Sequence, residues 1–299
     1  FQEAIKKENK QYLILVATSG DTGKAALEGY KNRKNIRIFV LYPHGHVSQL
    51  QQLQMSTQEG NNVTVCAIKG DFDDAQRLVK DIFHDAAFNK LIEKNSTVLS
   101  SANSINWGRL LPQIMYHIHS YLELVAKGVV TLGDPVAIAV PSGNFGNILA
   151  ALYAQKMGLP ITKLICASNE NNVLTEFLQT GVYDIQKRRL VQTSSPSMDI
   201  LVASNIERLL FLLTNDSYRV SQWMQSLQQE GKFVVDEETK KQLQKLFFAD
   251  WVNNETALKN IKKAVDEQHY LMDPHTSVAQ VVTERYCQQQ KSSVPVVIC

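Results

Sequence analysis

The sequence contains no run of about 18 apolar residues, so no membrane-spanning helix is expected. Charge of one sign is also missing. Lys and Arg number 31 against 29 Asp and Glu, a formal net charge of +2. That balance excludes a basic field for nucleic acid and an acidic tail for a basic partner. Cysteine is scarce: Cys66, Cys166, Cys287 and Cys299 stand far apart, with no C-x-x-C pair for zinc or redox work. A chain of this size needs no disulfide staple, so reduced thiols and an intracellular, by default cytoplasmic, setting are expected. No internal repeat or low-complexity tract is present. The start, Phe1-Gln2-Glu3-Ala4, lacks an initiator Met, a basic n-region and an apolar h-region. It reads as an internal point of a longer chain, which leaves organelle targeting open. The end, Val294-Pro295-Val296-Val297-Ile298-Cys299, has a buried-strand pattern and reads the same way.

What is there is an ordinary globular composition, 44% hydrophobic and 20% charged over 299 residues. At about 150 residues per domain, that length predicts two domains. Leu13-Ile14-Leu15-Val16 is a short continuous apolar run closed by turn formers, the mark of a buried strand. Further strands are expected at 36–41, 63–68, 98–99, 136–140 and 163–167. Helices are expected between them, at 22–30, 47–57, 72–83, 109–127 and 147–157. Asp71 can cap the third, whose apolar positions follow the 3.6 period. Pro112 falls in the first turn of the 109–127 helix and Gly128 marks its stop. Strands alternating with amphipathic helices imply βαβ units and parallel sheets, an α/β fold. The pattern restarts after Gly128, which divides the chain into a smaller domain, 1–128, and a larger one, 129–299. The stretch 206–267 reads as dominantly helical, and Gln288-Gln289-Gln290-Lys291 as a short polar loop.

Three loops carry chemistry. Pro141-Ser142-Gly143-Asn144-Phe145-Gly146-Asn147 lies between a strand and a helix. Its glycines let the backbone approach a ligand, and loop amides at a helix N-terminus suit a phosphate. A plain βα turn would also use Gly and Asn. The spacing is not the G-x-G-x-x-G dinucleotide pattern, which argues against a nicotinamide enzyme. Thr18-Ser19-Gly20-Asp21-Thr22-Gly23-Lys24 could be mistaken for a nucleotide P-loop. Thr18 stands where that motif needs its first Gly, and Ala25 where it needs a hydroxyl for Mg²⁺. What remains is a hydroxyl-rich helix start, suited to a carboxylate or phosphate. The third loop, Ser100 to Arg109, is dense in polar side chains after a strand, where open α/β sheets bind ligands. Arg109 can hold an anion bidentately; a surface salt bridge is the plainer alternative. Together the loops describe a cleft between two α/β domains, with anionic ligands, at least one of them phosphorylated. No metal is expected: His44 and His46 have no Cys, Asp or Glu at ligand spacing. His117 and His119 point to different helix faces and read as core or surface. Trp107, Trp223 and Trp251 read as core.

Five segments occur here in the order seen in threonine synthases: ATSGDTG, SSANSINWGR, PSGNFGN, SPSMDI and DPHT. The resemblance is to the longer, yeast- and enterobacterial-type branch and its animal threonine synthase-like relatives. It runs from about Tyr12 to Cys299. It implies two parallel-sheet α/β lobes of the fold type II pyridoxal-phosphate class, similar to tryptophan synthase β. The implied cofactor is pyridoxal 5′-phosphate. Gly143, Asn144, Phe145, Gly146 and Asn147 match the cradle of its phosphate. Thr18, Ser19, Gly20, Asp21 and Thr22 match the loop that meets the substrate carboxylate. Asn103, Ser104, Asn106 and Arg109 match the segment on the substrate side, with Arg109 toward the substrate phosphate. Pro196–Asp199 and Asp273–Thr276 match family segments near the cleft.

The implied reaction turns O-phospho-L-homoserine and water into L-threonine and phosphate. The implied partner is a small phosphorylated amino acid, with no nucleic acid and no membrane, on a monomer or homodimer. The family's Schiff-base lysine sits in a segment resembling H-G-P-T-x-A-F-K-D, expected upstream of Phe1. No catalytic residue is therefore assigned within 1–299, and this polypeptide taken alone is expected to be inactive. Two other outcomes stay open: a catabolic phospho-lyase giving 2-oxobutyrate, and a non-catalytic relative acting by binding partners.

Overall fold

The computed structural model describes residues 2–5, 7–8, 10–18, 20–103 and 106–299. The chain forms two compact units, Phe1–Arg109 and Leu110–Cys299.

The first unit runs α1 (Gln2–Ile5), β1 (Gln11–Ala17), α2 (Asp21–Tyr30), β2 (Ile36–Pro43), α3 (Gln49–Ser56), β3 (Val63–Ile68), α4 (Phe72–His84), α5 (Ala86–Glu93) and β4 (Thr97–Ser101). All the strand pairings are parallel, in the order β3-β2-β1-β4. Ile14 and Val16 of β1 join Ile36, Ile38 and Val40 of β2 in a core with Leu27 and Met55. The Leu13–Val16 run is apolar throughout because β1 is an inner strand, paired on both sides and lined by helices. Helix starts obey local chemistry. Asp71 accepts from the Asp74 amide at 2.9 Å and Asp74 returns the bond, a reciprocal cap for α4. Ser48 and Gln51 do the same for α3.

The long helix α6 (Trp107–Ala126) belongs to the second unit from Leu110 onward. Leu110, Ile114 and Tyr121 are buried in that unit's core. The division between the two compact units thus falls in the first turn of α6, between Arg109 and Leu110, whereas the sequence pattern restarts at the Gly128–Asp134 loop. Then follow β5 (Val136–Pro141), α7 (Gly146–Lys156), β6 (Ile161–Ser168), α8 (Val173–Thr180), β7 (Val182–Asp184), α9 (Ile206–Thr214), α10 (Ser217–Glu230), β8 (Lys232–Val234), α11 (Glu237–Leu246), β9 (Phe247–Trp251), α12 (Asn254–Gln268), α13 (Pro274–Gln290) and β10 (Val296–Ile298). The main sheet is parallel, ordered β10-β5-β6-β9, and β7 pairs antiparallel with β8.

Both faces of this sheet are covered, and the strand residues sort by period two. Val136, Ile138, Val140, Leu164 and Cys166 pack into one core with α6, α7 and α8. Ala137, Ala139, Ile165 and Ala167 pack into the other with Val278, Ala279 and Val282 of α13. Small residues on the α13 side let that helix lie close against the sheet. Every described cysteine is a free thiol, and Cys166 lies fully buried in the first of these cores.

Two segments differ from the sequence pattern. Within the expected helical stretch 206–267 lie β8, which pairs with β7, and β9, which joins the main sheet beside β6. The run Phe247-Phe248-Ala249-Asp250-Trp251 is too short to show a period and follows α11 without a turn former, so no local signal marks it. Gln288–Gln290 is helix, not loop: α13 continues to a left-handed cap at Lys291. Trp223 packs on Phe233, but Trp107 and Trp251 are exposed at 44% and 40%. No helix of the described residues is long and apolar enough to cross a membrane.

At β7 and β8 three aromatic rings interlock. Tyr183 stacks on Phe233 with centroids 5.3 Å apart, and Phe177 tilts against both at 5.4 and 5.5 Å. Phe233→Ala is expected to cost about 3–5 kcal/mol, a cavity with little freedom to collapse. A urea titration of the variant should show the midpoint fall with the slope unchanged.

Candidate functional site

Parallel strands send all their carboxyl ends to one edge. Where neighbouring strands are connected in opposite directions, the loops diverge and leave an opening there. Each unit has one such point. In the first, the chain goes from β1 to β2 and β3 on one side, then returns to β4 on the other. In the second it goes from β5 to β6 and β9, then returns to β10. The sequence-predicted loops stand there: 18–22 after β1, 102–109 after β4, and 142–147 after β5.

In the first unit Thr18 is only 1% exposed, and its Oγ1 accepts from the amides of Gly20 and Gly23, each at 2.9 Å. The hydroxyl thus shapes the turn into α2. Gly20 has φ +142°, a conformation closed to most side chains, and a Cβ there would meet Gln51 at 2.4 Å. Asp21 accepts from Gln51 Nε2 at 2.7 Å. Thr22 is half-buried beside it. Asn103 bridges the switch point: its Oδ1 accepts from the Ala17 amide at 2.9 Å and its Nδ2 donates to the Ala17 carbonyl at 2.6 Å. A side chain thereby carries the β1–β4 ladder past the last paired residues. Asn106 donates to the Ser101 carbonyl at 2.7 Å and accepts from the Gly108 amide at 2.9 Å. Arg109 donates to the Ala102 carbonyl at 2.9 Å, which tethers an otherwise exposed guanidinium to this loop. Ser19 and Ser104 lie outside the described residues.

In the second unit the loop turns sharply at Phe145, a non-glycine residue with φ +59°. Its ring is 1% exposed and lies 5.5 Å from Phe247, so core packing holds the strained backbone. Phe145 can therefore face a ligand only through its main chain. The turn aims Gly146 and Asn147 into the first turn of α7, whose leading amides have no partner within the helix. Asn144 is held twice. Its carbonyl accepts from Asn205 Nδ2 at 2.9 Å, and its Oδ1 accepts from the Ser204 hydroxyl at 3.1 Å. Asn147 donates to Gln113 at 3.2 Å, and its carbonyl accepts from His117 Nε2 at 3.0 Å. The other ring nitrogen faces Cys299 Sγ at 3.6 Å. Burial holds His117 below the usual imidazole range, against the opposing effect of the Asn147 carbonyl. Burial also pushes the Cys299 thiol up to about 11. Asn147 Oδ1 is buried with no hydrogen-bond partner among the described residues. A buried polar atom left so marks a place where a ligand or water completes the set.

Behind the loop is the 3₁₀ turn Pro196–Met198. A Cβ on Gly143 would sit 2.7 Å from the Ser197 carbonyl oxygen, so only glycine permits this contact. Asp199 closes the turn. It accepts from Asn169, Asn171 and the Thr193 hydroxyl at 2.7, 3.0 and 2.8 Å. Burial pushes its carboxyl up, and the bonds from Thr193 and Asn169 oppose that.

The model for "Pyridoxal-phosphate dependent enzyme" matches residues 1–299. The chain belongs to the pyridoxal-phosphate dependent enzyme family. Pyridoxal 5′-phosphate is the cofactor of this family. The chain is 44% identical over 294 residues to human threonine synthase-like 1, covering 96% of this chain and 39% of that protein. It is 41% identical to threonine synthase of Saccharomyces cerevisiae, covering 93% of this chain and 55% of that one. The crystal structure of pyridoxal-phosphate-bound threonine synthase from Brucella melitensis superposes with a TM-score of 0.85 at 37% identity, over 99% of this chain and 61% of that one. The chain thus spans between about two fifths and three fifths of these relatives. The pyridoxal-phosphate enzyme fold here is α/β with parallel sheets, of fold type II.

The residues of the second unit fit the cofactor's phosphate. The leading amides of α7, which have no partner within the helix, stand at the end of β5, where they can donate to phosphate oxygens. Sequence reasoning missed His117, Gln113, Ser204 and Asn205, which hold the loop from 30 to 61 positions away. None belongs to a local motif, so no signal in the sequence pointed to them.

His117 makes a prediction. It is neutral in the fold, while the unfolded chain takes up a proton below the ordinary value of 6.5. Its contribution is present above that pH and lost as pH falls, at no more than about 1.4 kcal/mol per pH unit. His117→Gln should flatten the loss of stability between pH 7.5 and 5.5, measured by urea midpoints.

Proposed function

We propose that the whole protein is a threonine synthase-like lyase acting on a small phosphorylated amino acid. The reaction is conversion of O-phospho-L-homoserine and water to L-threonine and phosphate. Phosphate leaves Cγ and water adds at Cβ. When bound, pyridoxal phosphate supplies an electron sink for charge that develops on the substrate carbons. The chain's own residues then have separable tasks. Gly143, Asn144, Phe145 and Gly146 offer main-chain amides to the cofactor phosphate, and Asn147 adds its side chain. Gly20, Asp21 and Thr22 offer the start of α2 to the substrate carboxylate. Asn103 holds the β1–β4 edge in shape beside them, and Asn106 orders the turn that carries Arg109. Arg109, tethered at Ala102, offers a planar fork to the substrate phosphate.

The observation that carries this reading is the loop after β5, where the left-handed turn at Phe145 leads into α7 and leaves that helix's first amides free of partners within the helix. The similarity to enzymes named threonine synthase supports the choice of reaction. The similarity to threonine synthase-like 1 supports keeping the product as the point to be tested.

Full-length protein incubated with pyridoxal phosphate and O-phospho-L-homoserine should release phosphate and yield threonine by chromatography. Release of 2-oxobutyrate instead makes it a catabolic phospho-lyase. No phosphate release overturns the reading and leaves a binding protein. Arg109→Ala should raise KM for the phosphorylated substrate at least tenfold, from loss of about 1.5–3 kcal/mol of charge-assisted hydrogen bonding. Cofactor absorbance of the loaded protein should not change.

A further inference from the structure

The Pro196–Met198 turn is held at both ends by residues distant in the chain. Asp199 anchors its carboxyl end through Asn169, Asn171 and Thr193. Met198 is buried in the core that α13 shares with β5 and β6. A further tie is at Ser197, whose amide donates to His275 Nε2 at 3.3 Å. An amide N–H can only donate, so Nε2 must carry the lone pair and the ring proton must sit on Nδ1. Nδ1 lies 3.0 Å from Asp273 Oδ1. Asp273 is the N-cap of α13 and also accepts from the amides of His275 and Thr276 at 2.9 and 3.2 Å. Burial acts to raise its carboxyl, but the bonds from Thr276 and His275 outweigh this and hold it below the usual range. The carboxylate stays ionised and fixes the imidazole tautomer.

The same turn presents the Ser197 carbonyl to Gly143, where there is no room for a Cβ. The ring therefore reaches the phosphate loop in two steps: His275 to the Ser197 amide, and the Ser197 carbonyl to Gly143. The helix cap is needed for α13 to start, but a cap requires only Asp273. The histidine acceptor two residues on is not needed for the cap; its Nε2 holds the Ser197 amide.

We propose that His275, oriented by Asp273, is a positioning residue that sets the backing of the Gly143–Asn147 loop and thereby the loop's selectivity for a phosphate group. This rests on the assignment of that loop to the cofactor phosphate. It predicts that the hydrogen-bond acceptor at 275 matters, not the ring. Glutamine can accept at Oε1, whereas lysine can only donate.

Two probes without a reactive aldehyde isolate the phosphate, pyridoxine 5′-phosphate and pyridoxine, with binding to the full chain measured by calorimetry. The ratio of their dissociation constants is the readout. His275→Lys should cut the preference for the phosphorylated probe about tenfold and leave pyridoxine affinity unchanged. His275→Gln should restore most of it. A purely structural histidine would weaken both probes together, or show as a lower melting temperature with the ratio intact, and either result overturns the proposal. Asn147→Asp puts a negative charge in the loop itself and separates the two claims. If it leaves the ratio unchanged, the loop does not hold the phosphate. If it abolishes the preference while His275→Lys does not, the loop assignment stands and the role of His275 fails.

Discussion

The direction of the strand ladder is the constraint from which the rest follows. A parallel sheet cannot place its strand ends at random: each carboxyl end reaches the same edge, and each return crossing must cover a face. In both units the chain reverses its direction of travel across the sheet once, between β1 and β4 and between β5 and β10. The motifs rich in Gly, Asn, Ser and Thr occupy the loops that leave those two reversal points. The sheet thus decides where chemistry can be placed before any side chain decides what it is.

A second dependency runs through glycine and asparagine. The Gly143–Asn147 loop makes no ladder of its own and is braced from outside. Asn205 and Ser204 brace Asn144, His117 and Gln113 brace Asn147, and the Pro196–Met198 turn braces Gly143. In the first unit Asn103 serves the same end by extending the β1–β4 ladder with a side chain. Its bonds to the Ala17 amide and carbonyl give this side chain a structural task in the loop after β4.

The alternation of strand and helix was legible because each element is amphipathic or wholly buried, and burial writes itself into short windows. Asp71, Asp273 and the glycine stops were legible for the same reason: capping is local chemistry. The places of the three loops were legible because each follows a strand whose burial pattern is local. Three things were not. Strand β9 hides between two helices, since its five residues match no period and its place is set by β6. The start of the second unit is not at a turn, because α6 is defined by what it packs against rather than by its loops. The braces were invisible because a histidine or glutamine on a helix face looks alike whether it meets solvent or a carbonyl from a distant strand.

The wide spacing of those braces bears on how the protein is made. The bond from Ser197 to His275 spans 78 positions, and that from Asn144 to Asn205 spans 61. Contacts of such separation form late, after the local turns and helices are in place. During synthesis β5, the glycine loop and α7 emerge from the ribosome well before α13 exists. A nascent chain paused in between would carry every residue of the phosphate motif and still lack its finished shape. The shape of the Gly143–Asn147 loop is thus a property of contacts made across the whole of the second unit and not of the loop's own sequence.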